Sequence, residues 1–379
     1  MTATDYTATE STVDVALMMP NFFGGGAERM MTRLARAFAE SGRRVDLVVC
    51  SPDGPYRDGV GPDVRVVNLG GGGVLASLPA VVGYLRAHRP RTVLVTLNSM
   101  TIVVVWARAL AGVSLRLVVR QANNPTAYRS VSWRDRLVVR VLRGRLRHAD
   151  AVVTGSKGVA NDVAAWARVP SARVHVVGNP VVDATLTGLA NEPVDHPFFN
   201  EPGPPILLAA GRLTPQKDYM TLLRAFAIAR EHRPLRLVVL GEGRQRGELE
   251  AFVRGHHLEA VISLPGFVAN PFAFMHRADA FVLSSAWEGL PGVLIQAMAC
   301  GCPVIATDCP SGPREILDGG SYGPLVPAGD ASALAAAILA TLADPAPAEA
   351  LRARASAYGV ERSVRRYADV LWPEAEMTQ

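Results

Sequence analysis

Three short stretches combine residue types and spacings suited to an anionic ligand rich in hydroxyls. The first is Gly24-Gly25-Gly26-Ala27-Glu28-Arg29. Glycines let a backbone approach a ligand closely, and free amides at a helix N-terminus attract phosphate. The run matches neither G-x-G-x-x-G nor G-x-x-x-x-G-K-[ST], so it supports neither a dinucleotide fingerprint nor a P-loop. A tight turn without a ligand is the plain alternative. The second is Gly211-Arg212-Leu-Thr-Pro-Gln-Lys217-Asp218. Two cations in one loop favour a diphosphate, with Arg212 as a fork and Lys217 as a point charge. Ordinary surface charge is the alternative.

The third stretch is Glu288-Gly289-Leu290-Pro291-Gly292-Val-Leu-Ile-Gln296. Pro291 and Gly292 suit the start of a helix whose free amides would face phosphate. A carboxylate at Glu288 suits paired sugar hydroxyls, and Gln296, more than a turn inside, can face the same ligand. A capping or solvated acid is the alternative for Glu288. Two turns carry weaker signals. Gly241-Glu242-Gly243 is half a dinucleotide fingerprint, with Arg246 where the third small residue belongs. Leu264–Val268 ends a strand irregularly, where main-chain groups could read a base edge.

The elements around these stretches read as alternating strands and helices. Val13–Met19 is an apolar run, followed by Met30, Met31, Leu34, Ala35 and Phe38 on one helical face and then Val45–Cys50. Further strands are expected near Thr92–Leu97, Leu115–Arg120, Ala151–Thr154 and Val174–Val177. A proline-rich stretch, 183–205, reads as a linker. The pattern restarts at Ile206–Ala210, with strands near Leu235–Leu240, Val261–Leu264, Ala280–Leu283 and Val304–Ala306. The expectation is an α/β protein of two doubly wound, Rossmann-like domains, 1–182 and 206–350, facing each other across a cleft. A final helix within 351–379 braces both. Open parallel sheets bind ligands beyond the carboxyl ends of their strands.

The 379 residues fit two domains, and 49% hydrophobic with 19% charged residues describes a packed globule. Residues 1–200 hold 23 Lys+Arg against 15 Asp+Glu, or +8; the remainder holds 16 against 19, or −3. The basic half should face something anionic. Cys50, Cys300, Cys302 and Cys309 lack zinc spacing and read as small buried hydrophobes. The first residues are polar, without a leader pattern. The apolar stretch Thr92–Val113 is interrupted by Asn98, Ser99 and Arg108, a poor membrane span. The expected location is cytoplasmic.

Taken together, GRLTPQKD, EGLPGVLIQAMACGCPVIATD, SGPREIL (311–317) and the GGGAER loop resemble the family 4 retaining glycosyltransferases of the GT-B fold. The resemblance covers nearly the whole chain. It implies that Arg212 and Lys217 bind the donor diphosphate and steady the leaving group. It also implies that Glu288 holds donor-sugar hydroxyls, helped by the amides of Gly289 and Leu290. Val268 and its neighbours would contact the base, and Gly25 and Gly26 would approach the phosphates from the opposite domain. Two departures stand out. The second acid of the E-x7-E motif, which binds ribose hydroxyls, is Gln296 here, a weaker acceptor. The histidine many relatives carry after the strand Leu115–Arg120 is replaced by Arg120-Gln-Ala-Asn123-Asn124, which places Arg120, Asn123 and Asn124 on the acceptor side.

The implied donor is a nucleotide sugar, UDP-linked, carrying a hexose or N-acetylhexosamine. The implied acceptor is a saccharide or lipid-linked saccharide of polysaccharide, lipopolysaccharide or glycolipid synthesis. The chain has no D-x-D, so no metal or cofactor is expected; Arg212, Lys217 and helix amides can do that electrostatic work. Residues 132–147 hold six arginines and one acid with apolar residues at helical spacing, which suits an anionic membrane face; a packed helix with a solvated basic side is the alternative. No nucleic-acid motif accompanies that patch. A GT-B nucleotide-sugar epimerase and a non-catalytic nucleotide-sugar-binding protein remain alternatives.

Overall fold

The computed structural model describes residues 12–23, 25–126 and 133–373. Gly24, Ser132, the polar N-terminal stretch and the last six residues lie outside these. Thirteen strands form two sheets. The first sheet contains β1 (Val15–Met19), β2 (Val45–Val49), β3 (Arg65–Asn68), β4 (Thr92–Thr96), β5 (Arg116–Gln121), β6 (Ala151–Thr154) and β7 (Val174–Val176). Its order is β3-β2-β1-β4-β5-β6-β7, with every pairing parallel. The second contains β8 (Ile206–Ala210), β9 (Arg236–Leu240), β10 (Ile262–Gly266), β11 (Ala280–Leu283), β12 (Val304–Thr307) and β13 (Leu325–Val326). Its order is β10-β9-β8-β11-β12-β13, again parallel.

The central strands are buried along their whole length. Helices cover both faces of each sheet, so these strands read as unbroken apolar runs. Each domain accordingly has two core clusters, one per sheet face. Strand order reverses at β1/β4 in the first sheet and at β8/β11 in the second. Such switch points open a crevice beyond the strand ends. The loops after β1, β8 and β11 are the three that carry the motifs.

Residues 183–205, expected as a linker, are partly folded onto the second domain. The helix Thr185–Ala190 buries Leu186 and Ala190, and Val194 follows them into the second domain's core. Asn270 donates to the Leu189 carbonyl at 2.7 Å, and Arg277 to the Ala190 carbonyl at 3.1 Å. The expected single final helix is two. Ala348–Ala355 buries Leu351 and Ala355 in the second domain, while Val360–Leu371 buries Tyr367, Val370 and Leu371 in the first. Gly359 breaks the helix between them with φ −63° and ψ 146°.

The chain therefore passes between the domains twice, and the two passages are bonded together. Val181 and Val182 N–H donate to the Tyr358 carbonyl at 3.1 Å, and Val360 N–H to the Val182 carbonyl at 2.9 Å. Arg33 of the helix Gly26–Glu40 clamps the first passage through the Pro180 and Val181 carbonyls and an ion pair to Asp183 at 2.8 Å. No single helix among the described residues is long and apolar enough to cross a membrane.

Tyr367 is fully buried in the first domain's core, although it belongs to the last helix. Tyr367→Ala is expected to cost about 3 kcal/mol, the scale for truncating a core aromatic. Urea unfolding of the full chain measures it.

Candidate functional site

The loop after β8 is held by close backbone packing. Gly211 N–H donates to the Leu240 carbonyl at 2.9 Å, Leu213 N–H to the Glu242 carbonyl at 2.9 Å, and Gln245 N–H to the Leu213 carbonyl at 3.1 Å. A Cβ on Gly241 would stand 2.1 Å from the Gly211 oxygen, and one on Gly243 2.3 Å from the Leu213 oxygen. These two glycines thus exist to let the loop after β9 support the loop that carries Arg212. That accounts for Gly241-Glu242-Gly243 without a nucleotide. Arg212 itself is exposed, and its side chain has no hydrogen-bond or ion-pair partner among the described residues.

Lys217 closes this loop against the loop after β11. Its Nζ lies 2.6 Å from Glu288 Oε1, with the two side chains 15% and 7% exposed. Ser285 donates to the same oxygen at 2.7 Å, and Gln216 reaches Oε2 at 3.5 Å. Gln216 also donates to the Trp287 carbonyl at 3.1 Å, and Ser284 to the Lys217 carbonyl at 2.8 Å. The expected sugar-binding acid and the expected phosphate-binding lysine are therefore partners, and Glu288 is buried rather than out in the loop. The N–H groups of Gly289, Leu290, Gly292 and Val293 make no hydrogen bond among the described residues. They form a row of free donors at the start of the helix Gly292–Ala299. Gln296 is partly exposed on that helix, and its side chain has no partner among the described residues.

The first domain closes directly onto this loop. A Cβ on Gly289 would stand 1.8 Å from the Ala122 carbonyl oxygen, so only glycine permits the approach. Ser156 Oγ donates to the Gly289 carbonyl at 2.8 Å, and Asn179 Nδ2 to the Leu290 carbonyl at 3.4 Å. Glu315 accepts from the Lys157 and Gly158 amides, both at 2.9 Å, and so caps a first-domain helix from the second domain. Asn124, expected on the acceptor side, is buried and donates to Ser311 Oγ at 2.9 Å. Arg120 is also buried, bonded to Asn179 Oδ1 at 2.9 Å and Thr96 Oγ1 at 3.4 Å. Both act here as supports of the domain contact. Asn123 is partly exposed, with its side-chain oxygen beside Gly289.

Gly25 is the N-cap residue of the helix Gly26–Glu40. Glu28, in that helix's first turn, is buried, with a carboxylate oxygen 2.4 Å from where a Gly25 Cβ would stand. Burial raises its pKa; its own backbone amide, Arg212 and Arg120 pull the other way. Glu28 belongs to the Gly-Gly-Ala-Glu-Arg motif, and its only signal in the sequence is an acid next to glycines. Val268, after β10, packs partly against the second domain's core, and its neighbour Phe267 is 59% exposed. The four cysteines are buried, and burial pushes the Cys300 and Cys309 thiols up to about 12.

Comparison with known proteins gives concordant matches. Residues 204–344 match the family model described as "Glycosyl transferases group 1", and residues 25–180 match "Glycosyl transferase 4-like domain". An uncharacterized glycosyltransferase of Methanocaldococcus jannaschii is 30% identical over 52% of this chain and 48% of its own. The N-acetylgalactosamine-N,N'-diacetylbacillosaminyl-diphospho-undecaprenol 4-alpha-N-acetylgalactosaminyltransferase of Campylobacter jejuni is 30% identical over 62% of each chain. The lipopolysaccharide core biosynthesis glycosyltransferase LpsE of Rhizobium meliloti is 27% identical over 58% of this chain and 61% of its own. The aligned region thus spans between about half and three fifths of these relatives' lengths. Among solved structures, Anabaena HepE in complex with UDP and glucose aligns over 95% of this chain and 100% of its own, with TM-score 0.77 and 20% identity. Sucrose-phosphate synthase from Thermosynechococcus elongatus aligns over 96% and 99%, with TM-score 0.78 and 21% identity.

The buried Lys217–Glu288 pair predicts a non-additive pair of variants. Lys217→Met leaves a buried carboxylate without its cation and should cost about 3 kcal/mol. Lys217→Met with Glu288→Gln should recover most of that loss. Urea unfolding of the single and double variants checks it.

Proposed function

This chain belongs to the glycosyl transferases of group 1 and has the two-sheet GT-B fold, and on that premise we propose that it moves a sugar from a UDP-sugar to a saccharide or lipid-linked saccharide. One observation carries the reading. An unpartnered arginine and a row of free amides meet at the switch point of the second sheet, facing the first domain's glycine loop. Unpaired cations and helix-end amides are what a diphosphate needs.

In this reading Arg212 and the Gly289–Val293 amides hold the diphosphate and stabilise the charge that develops as it leaves. Lys217 shares itself between Glu288 and a phosphate oxygen. Glu288 Oε2, with only a long contact to Gln216, takes a donor-sugar hydroxyl. Gln296 accepts from a ribose hydroxyl as a neutral amide, and the Phe267–Val268 turn meets the base. Gly25 and Gly26 approach the phosphates from the opposite side. The transfer is retaining and front-sided. The acceptor oxygen bonds to the anomeric carbon, the bond to the diphosphate breaks, and the acceptor proton passes to a leaving phosphate oxygen. UDP as the nucleotide carrier is supported by the Anabaena complex, a lipid-linked saccharide acceptor by the Campylobacter relative, and lipopolysaccharide synthesis by the Rhizobium relative.

A membrane-linked acceptor is supported by the helix Trp133–Arg145. Its outer face exposes Trp133, Arg136, Leu137, Arg140 and Arg143, while Val139 and Leu142 are buried. Exposed tryptophan and leucine among arginines suit an anionic leaflet.

Titration with UDP in the absence of divalent metal should give binding. Arg212→Ala should weaken it about 10- to 100-fold, the scale of a lost hydrogen bond to a charged group. No binding of UDP or of any UDP-sugar would sink the donor assignment. Vesicle sedimentation should show binding to phosphatidylglycerol over phosphatidylcholine. The double reversal Arg140→Glu/Arg143→Glu should weaken it about thirtyfold or more, at about 1 kcal/mol per basic residue near the surface.

A further inference from the structure

Three acids are buried among the described residues: Glu28, Asp46 and Glu288. Two have strong protein partners. Asp46 accepts from Arg65 at 2.8 Å and from the Tyr84 hydroxyl at 2.6 Å. Glu288 accepts from Lys217 at 2.6 Å and Ser285 at 2.7 Å. Glu28, only 8% exposed, is in the opposite state. Apart from its own backbone amide, it takes no hydrogen bond and no ion pair among the described residues. Carboxylate lone pairs are ordinarily filled, and the oxygens of Glu28 are not among the fully enclosed unpartnered atoms, so they stay open to solvent or a ligand. The helix start at Gly25–Arg29 thus carries an acceptor with spare capacity, and Gly25 has no side chain where that carboxylate lies.

The missing donor can be narrowed by charge. A phosphate is excluded, since like charges repel. Arg120 is already bonded to Asn179 and Thr96. Arg212 stands across the crevice, close enough to act on Glu28 electrostatically but not within ion-pair distance. No group of three potential metal ligands occurs among the described residues. What remains is a neutral hydroxyl, delivered between Glu28 on the first domain and Arg212 on the second. We propose that Glu28 binds the attacking hydroxyl of the acceptor and holds it toward the sugar carbon whose diphosphate Arg212 holds. This rests on the donor reading given above. Glu28 gains no proton in the reaction: the proton still leaves on the phosphate oxygen. It positions the nucleophile and sharpens the choice between a hydroxyl and other groups.

The test uses the full chain, its Glu28→Gln and Glu28→Ala variants, and UDP, UDP-glucose and UDP-N-acetylglucosamine as probes. Two quantities are read: UDP affinity by calorimetry, and UDP release from the two sugars with water as the attacking hydroxyl. In Glu28→Gln, UDP affinity should stay the same or tighten up to about threefold, since a like charge is removed. UDP release should fall at least about tenfold, roughly the loss of one charge-assisted hydrogen bond. The pH profile separates positioning from mere structure. The competent form is the carboxylate, and burial raises its pKa, so wild-type release should fall as pH drops through an acid limb lying higher than that of a free glutamate. Arg212 and Arg120 are the charged groups facing Glu28. Glu28→Gln should lack this limb. Unchanged release in Glu28→Gln, or a limb that persists, overturns the proposal. A tenfold loss of UDP affinity instead assigns Glu28 to the donor side and also overturns it. A wild type that binds UDP while the variant loses only release supports it. A wild type that binds no UDP removes the donor reading itself, and this inference with it.

Discussion

The salt bridge between Lys217 and Glu288 joins two loops from neighbouring strands at the second sheet's switch point. Everything on that side of the crevice is arranged around it. Moving two charges out of water is costly, and Ser285, donating to the same oxygen as Lys217, helps offset that cost. The reward is geometric rather than energetic. With both loop ends pinned, Arg212 is carried on a supported backbone, and the N–H groups of Gly289, Leu290, Gly292 and Val293 stay unpaired among the described residues. The glycines of the neighbouring β9 loop complete this support from behind. A diphosphate entering such a site meets donors already in place, the condition under which electrostatic stabilisation costs least reorganisation.

The second constraint is steric and lies between the domains. Gly289 touches the Ala122 backbone so closely that no side chain fits, and hydrogen bonds from Ser156, Asn179 and Asn124 surround that contact. The loop presenting free amides to the crevice is therefore also the loop the first domain rests on.

Much of this was legible in the sequence, for reasons specific to particular residues. Ile206–Ala210 and Thr92–Thr96 are buried on both faces, so they stand out as apolar runs with turn signals behind them. Two of the four edge strands were invisible: β3 has half-buried or exposed residues throughout, and β13 has only two residues, whereas β7 and β10 were expected. Residues 183–205 misled because five prolines masked the spacing of Leu186, Ala190 and Val194. Motif residues were found, but their mutual roles were not. Lys217 and Glu288 are 71 residues apart, and nothing in either stretch says they meet. Asn124 likewise looked free to face a ligand until Ser311, 187 residues on, is seen to claim it. Sequence spacing reveals which groups sit at a loop; it does not reveal which of them are already paired.

The double passage between the domains has a mechanical meaning. One connecting strand would let the halves swivel in any direction, as beads on a string do. Here two strands run side by side, bonded at Val182 and Tyr358, and Arg33 fixes one of them to the first domain. Twisting or sliding would tear those bonds, while bending across them would not. The domains are thus left with a single easy axis, like a door on two knuckles, and every opening returns Gly289 to the same place on Ala122.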